Sequence, residues 1–347
     1  MALKLIKLII AVSIILLYFL SFWLGFGLYF SKKTAPEKII FEVEKGKGIK
    51  TIAQALEKKE IINDQWTFLI EYELFVSPQS LKAGEYLFSP PFKVKEILTT
   101  LIQGKIYLHP LAVPEGLTAR EIAELLQSRG FGQEDDYQRA FLDTGPISSW
   151  DRKAANLEGY LFPETYYFPK SATARQITLA MVSQFKTVFN KGWQKQAHKI
   201  GLTIREVVIL ASLIEKETSL PEERRLVSAV FHNRLKMGMK LDCDPTIVYV
   251  LKLESRFEGR LHSKDMKLDS PYNTYLYRGL PPGPVCNPGR ESLLAALFPA
   301  DANYLYFVSR NDGSHEFSRT FQEHQIALRK YQKSQRRLSP KEAAQIP

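Results

Sequence analysis

A carboxylate stands where helical periodicity asks for an apolar residue. The segment 203–218 (TIREVVILASLIEKET) opens with a capping box, Thr203 at the N-cap and Glu206 three residues on. It then runs with helical apolar spacing. At about 100° per residue, Val207, Leu210, Leu213 and Ile214 fall within roughly 80° of Glu217, and Arg205, Ser212 and Lys216 fall on the opposite face. Glu217 is therefore expected in the apolar stripe, at the C-terminal end of its helix. An ionised carboxylate placed there unpaired costs several kcal/mol. Burial favours the proton, and the carbonyls of a helix C-terminus push the same way. A carboxyl kept neutral near pH 7 is what a general acid needs to protonate a leaving oxygen. The plainer reading is a partly exposed Glu at a fraying helix end, bonded to a nearby Lys or Arg.

Hydrolysis of a glycosidic bond needs a second carboxyl. Glu215 is two positions away and points to the other side of the helix. Glu222 reads as the partner of Ser219 in a capping box that opens a helix running to Gly238. Asp244 is the nearby candidate, although Asp-Pro at a turn is usually structural. The six histidines have no paired metal-ligand spacing, and neither a P-loop nor a nucleophile elbow is present. Loop segments with sugar-binding character follow at 270–275 (SPYNTY), 279–283 (GLPPG) and 287–289 (NPG). Tyr272 and Tyr275 offer flat apolar faces with a hydroxyl, and Asn273 and Asn287 can donate and accept from one amide. These four and Asp244 are the candidate substrate contacts.

The elements that must position these residues can be read in outline. A strand at 39–43, helices at 49–58, about 64–75 and about 94–103, and a strand at 81–88 make a small α+β module over 39–108. Residues 109–200 form a connector region with another capping box, Thr118 with Glu121, that opens a helix ending near Gly130. The catalytic region is assigned to 201–330, loop-rich after Gly238, with a hairpin built from 304–309, a turn at Asn311-Asp312-Gly313 and 315–320. A basic tail covers 331–347. Ahead of the module lie a cytoplasmic tail (1–7), an uncharged run of 23 residues at 8–30 and a polar linker at 31–38. That run spans about 34 Å as a helix and is longer than the core of a signal peptide, so an uncleaved single-pass anchor is expected. The remainder would then lie outside the cytoplasm. Cys243 and Cys286 sit in loop sequence and leave either a disulfide or two free thiols open. The net charge of +10 in 347 residues fits solubility, an anionic surface or an acidic polymer, with no motif for nucleic acid.

Six segments in order, 211–218 (ASLIEKET), 233–239 (NRLKMGM), 244–249 (DPTIVY), 272–275 (YNTY), 279–283 (GLPPG) and 304–308 (YLYFV), resemble the bacterial YceG-like endolytic murein transglycosylases. The likeness runs from about residue 40 to 325. It implies an α+β fold with an N-terminal transmembrane helix, a LysM-like glycan-binding module and a mixed α+β catalytic domain. It also implies a lytic transglycosylase of the inner membrane, with most of the chain in the periplasm, that cuts nascent peptidoglycan strands to leave 1,6-anhydroMurNAc ends. Glu217 matches the family's catalytic acid. The resemblance calls for no metal or cofactor, and leaves contact with cell-wall synthases open. Cys243 and Cys286 depart from the family pattern. Two other readings stand beside it: a two-carboxylate muramidase using Glu217 with Asp244, and a non-enzymatic glycan-binding scaffold.

Overall fold

The structure, a computed structural model, describes residues 2–29, 37–90 and 92–335. The chain is mixed α+β, with helices and two-stranded sheets divided between two compact units, Met1–Pro110 with Tyr167–Ser171 and Leu111–Tyr166 with Ala172–Pro347. Helix α1 (Ala2–Tyr29) takes in residues 8–29 of the uncharged run, although side chains of its last turns lie outside the described residues. So do most of the expected linker at 31–38 and of the tail at 331–347. Among the described residues no helix is long and apolar enough to cross a membrane.

In the first unit, β1 (Ile39–Val43) turns Phe41 and Val43 inward, and it pairs antiparallel with β2 (Gly84–Phe88) in the register Phe41↔Tyr86. Helix α2 (Ile49–Lys58) contributes Ile52, Ala53 and Leu56 to the core, and α4 (Val94–Gln103) contributes Ile97, Leu98 and Leu101. Each such Leu or Ile adds about 1.5–3 kcal/mol through burial. Helix α3 (Gln65–Phe75) is capped by Asp64, whose carboxylate accepts from Thr67 N at 2.8 Å. The expected elements of this unit are present, with β2 starting at Gly84 rather than at 81.

Strands β3 (His109–Ala112) and β4 (Thr165–Phe168) form another ribbon. The second unit holds α5 (Ala119–Ser128), α6 (Glu134–Leu142), α7 (Ala174–Val188), α8 (Lys191–Lys199), α9 (Ile204–Glu217), α10 (Pro221–Lys236), α11 (Asp244–Leu253) and α12 (Arg290–Leu297). The hairpin of β5 (Tyr306–Ser309) and β6 (His315–Ser318) and then α13 (Phe321–Gln335) complete it. Two of the three expected capping boxes form, at Thr118 with Glu121 and at Thr203 with Glu206.

Helix α9 is the axis of this unit. Every residue from Val207 to Ile214 is buried, with α8, α10, α11 and α12 packed round it. Ser212, expected on an outward face, is fully buried; its hydroxyl donates to Ile209 O and accepts from Val285 N at 3.0 Å. Enclosure on all sides converts the second face of the wheel into core. The expected capping box at Ser219 is not formed. Pro221 opens α10 with Leu220 as N-cap, because a proline in the first turn has a preset φ and no N–H to satisfy. The same preference starts α11 at Asp244-Pro245, where the sequence suggested only loop.

Candidate active site

Glu217 is the last residue of α9, where the helix emerges from the core into a groove. This groove, about 410 Å³, is lined by Glu217, Asp244, Tyr249, Lys252, Phe257 and Arg260 among others. The acid is half-buried. Burial pushes its pKa up to about 7, the nearby charge of Asp244 adds to the rise, and the Cys243 thiol and the more distant Arg234 oppose it. Glu217 is thus a carboxyl that holds or yields a proton near neutrality, at the wall of a groove.

The neighbouring carboxylates are disposed very differently. Glu215 accepts from Gly289 N at 3.0 Å and faces Arg224, so it is committed to packing on the far side of α9. Asp244, in the first turn of α11, is exposed in the same groove as Glu217 and accepts a hydrogen bond from the Tyr275 hydroxyl. Burial and the Asp244 carboxylate raise the Tyr275 pKa, so that hydroxyl stays neutral and a donor.

Two of the expected substrate contacts are structural. Asn273 is fully buried: its amide N–H groups donate to Met266 O at 3.1 Å and Leu268 O at 2.7 Å, and its oxygen accepts from Tyr275 N. It staples the loop that carries Tyr275. Asn287 is also fully buried, donating to Leu117 O and to Glu158 Oε1 and accepting from Leu161 N. An amide with its donors and acceptor engaged inside the core has no hydrogen bond left for a sugar. Tyr272 packs against Tyr249, with ring centroids 5.2 Å apart, and stands behind the groove wall rather than in it. Of the five candidates beside Glu217, Asp244 lines the groove and Tyr275 reaches it through Asp244.

Residues the sequence reading did not single out also build the site. Phe257 and Arg260 come from the loop after α11, and Tyr249 and Lys252 from α11 itself. Lys252 is held by Glu121 at 2.6 Å, so the N-terminus of α5 braces this wall. Glu158, fully surrounded, has its pKa lifted to about 8 by burial, against donors from Ala119 N, Tyr249 and Asn287. Helical spacing from Asp244 onward, with Pro245 taken as a start rather than a break, would have put Tyr249 and Lys252 on one element with Asp244.

The other motifs fix the frame. Asn233 of α10 donates to Ala302 O and Tyr304 O, and Arg234 donates to Leu305 O, Lys240 O and Leu241 O. The segment 279–283 lies at the opposite end of α9 from Glu217, where Arg205 donates to Pro282 O and pairs with Asp151 at 2.5 Å. The thiols are free and buried: Cys286 Sγ is 3.4 Å from Ser212 O, and Cys243 Sγ is 2.9 Å from Glu217 Oε1.

Residues 41–330 match the YceG-like family. A protein of Bacillus subtilis strain 168 named endolytic murein transglycosylase is 30% identical over 316 residues, covering 86% of each chain. One of the same name from Streptococcus pneumoniae serotype 2 strain D39 is 28% identical over 302 residues, and this chain spans 53% of its length. The 2.6 Å crystal structure of a YceG-like protein from Listeria monocytogenes superposes with a TM-score of 0.59 at 31% identity, covering 84% of this chain and 99% of that one. With a match that takes in the whole groove and the helix bearing Glu217, this chain belongs to the YceG-like family.

Proposed function

We propose that this protein is an endolytic murein transglycosylase in which Glu217 serves as both acid and base. The observation that carries the mechanism is a single half-buried carboxyl in a groove, with its pKa lifted to about 7. Protonated Glu217 gives its proton to the oxygen that links MurNAc C1 to GlcNAc, and the C1–O bond breaks. The resulting carboxylate takes the proton of the MurNAc C6 hydroxyl as O6 bonds to C1. The products are a GlcNAc 4-hydroxyl and a 1,6-anhydroMurNAc end; no water is consumed, and the carboxyl is regenerated.

The finer reading adds three parts. The segment 8–30 anchors the protein in the cytoplasmic membrane with the bulk of the chain on its outer side, supported by the absence of charge over those residues. The module at 39–108 acts as a LysM-like glycan holder. Tyr275 and Asp244 contact the strand beside Glu217, supported by the position of Asp244 in the groove.

That same position favours one alternative, a muramidase in which Asp244 activates water. Mass spectrometry of un-crosslinked glycan strands incubated with the protein separates the two. Ends lighter by one water, lost with Glu217→Gln by roughly 10²- to 10⁴-fold in rate, are expected. Reducing MurNAc ends that vanish with Asp244→Asn would replace the lytic reading by the hydrolytic one.

A further inference from the structure

The two oxygens of Glu217 are not equivalent. Oε1 lies 2.9 Å from Cys243 Sγ, while Oε2 has no protein hydrogen bond among the described residues and is not sealed in the interior. Cys243 itself has no freedom to look elsewhere. It is fully buried, its N–H donates to Thr274 Oγ1 at 2.9 Å, and its carbonyl accepts from Thr246 Oγ1 at 2.7 Å. Thr246 and Thr274 are joined at 3.1 Å, so the start of α11 and the 270–275 loop clamp one residue between them. The thiol is thus aimed at the carboxyl by backbone contacts on both sides.

We infer that Cys243 is a positioning residue for the transglycosylase reaction: its S–H holds Oε1 as an acceptor, so the proton that Glu217 delivers and recovers travels on Oε2. This rests on the reading of Glu217 as the catalytic acid. The donor serves both halves of the cycle. The thiol stays protonated, since burial and then the Glu217 charge push its pKa well up. In the acid, Oε1 is the carbonyl oxygen and accepts from S–H; in the carboxylate, Oε1 accepts again and more strongly. The carboxyl is thereby kept from rotating between proton delivery and proton recovery. A thiol is a weak donor, so it orients the group without drawing its pKa far down.

Other charged and titratable groups stand near Glu217 on α9, α10, α11 and the neighbouring loops. Asp244 stands at the start of α11 with Tyr275 bonded to it, and Arg234 lies on α10. Lys216, Lys252 and Arg260 line the same groove. Among the described residues, none of these makes a hydrogen bond to Glu217, which leaves the thiol as the group that sets its orientation.

The test compares Cys243→Ala and Cys243→Ser with wild type on un-crosslinked strands, with thermal unfolding midpoints as the control for folding. The alanine variant is expected to lose roughly 3- to 10-fold in kcat with KM little changed. Its alkaline limb should move to higher pH, because a donor to the carboxylate has been removed. Serine, which keeps a donor at this place, should recover most of the loss. Wild-type kcat with an unmoved limb in Cys243→Ala would overturn the inference, and so would a serine variant as impaired as alanine, since packing alone would then explain the residue. A second measurement is independent of turnover: the Raman S–H band of Cys243, assigned by its absence in Cys243→Ser, should shift when Glu217 is replaced by Gln. A band insensitive to Glu217→Gln would refute the contact even if strands are cleaved. A shifted band without any cleavage would leave the contact standing and the proposed function at fault.

Discussion

Asn287 and Glu158 are joined by a 2.9 Å hydrogen bond inside the second unit, and the same carboxylate receives the N-terminus of α5 through Ala119 N. One side chain therefore ties three segments, since Asn287 also engages Leu117 and Leu161. Asn287→Ala leaves the buried Leu161 N–H without its partner and takes one donor each from Leu117 O and Glu158, which keep Asn287 N and Ala119 N. At about 1–3 kcal/mol for that unsatisfied group, with the two weakened contacts and the small cavity adding to it, a loss of about 2–4 kcal/mol is expected. Scanning calorimetry should record a midpoint lower by roughly 5–15 °C. A midpoint within about 2 °C of wild type would remove Asn287 from the frame and reopen it as a ligand contact.

Glu217 also makes stability depend on pH. Unfolded, its carboxyl ionises near the ordinary value of 4.5; folded, it keeps its proton to about 7. Between these values the folded state binds more protons, so stability is fully present below about pH 4.5 and declines as pH rises through 7. Glu71 and Glu158, lifted by burial to about 7 and about 8, work in the same direction. Removing the ionisation should therefore help most at high pH. Glu217→Gln is expected to be close to wild type in stability at pH 5 and more stable at pH 8.5, by at most about 3 kcal/mol. Urea unfolding at the two pH values gives the comparison. A variant equally displaced at both would mean that Glu217 is not protonated on folding.

Activity should fall on the alkaline side. The acid must be protonated in the free enzyme, so kcat/KM is expected to decline above about pH 7, where Glu217 loses its proton. A profile flat to about pH 9 would rule this acid out.

Asp244 sharpens that experiment. Its charge helps to raise the Glu217 pKa, so Asp244→Asn should move the alkaline limb towards lower pH while the 1,6-anhydro products persist. A complete loss of cleavage in a folded Asp244→Asn protein would instead assign it a direct chemical role.

Much of the frame was legible in the sequence because local rules settle it. The capping boxes at Thr118 and Thr203, the Asn311-Asp312-Gly313 turn of the hairpin and the alternation in β1 each rest on a few neighbouring residues. Glu217 stood out for the same reason, as a polar residue in a run of apolar ones. The groove walls were harder, because Phe257, Arg260, Lys252 and Tyr249 meet through the fold of a loop and not through sequence spacing. Residue type misled at Asn273 and Asn287, where amides suited to sugars are equally suited to closing loops. Pro245 was read as part of a turn, whereas it opens a helix, and the helix expected to start at a Ser219 capping box is opened by Pro221 instead.

Helix α9 is gripped along its whole length, by Arg205 with Pro282 and Asp151 near the first turn, by Val285 at Ser212 in the middle and by Gly289 at Glu215 close to the end. The Glu217 carboxyl is thus the tip of a clamped strut. On the proposed function, a strand entering the groove meets an acid that will not travel to it, so adjustment falls to the other groove residues, among them the loop of Phe257 and Arg260. Ligands that stiffen that loop should block turnover without touching the acid, which gives an inhibitor a second place to act.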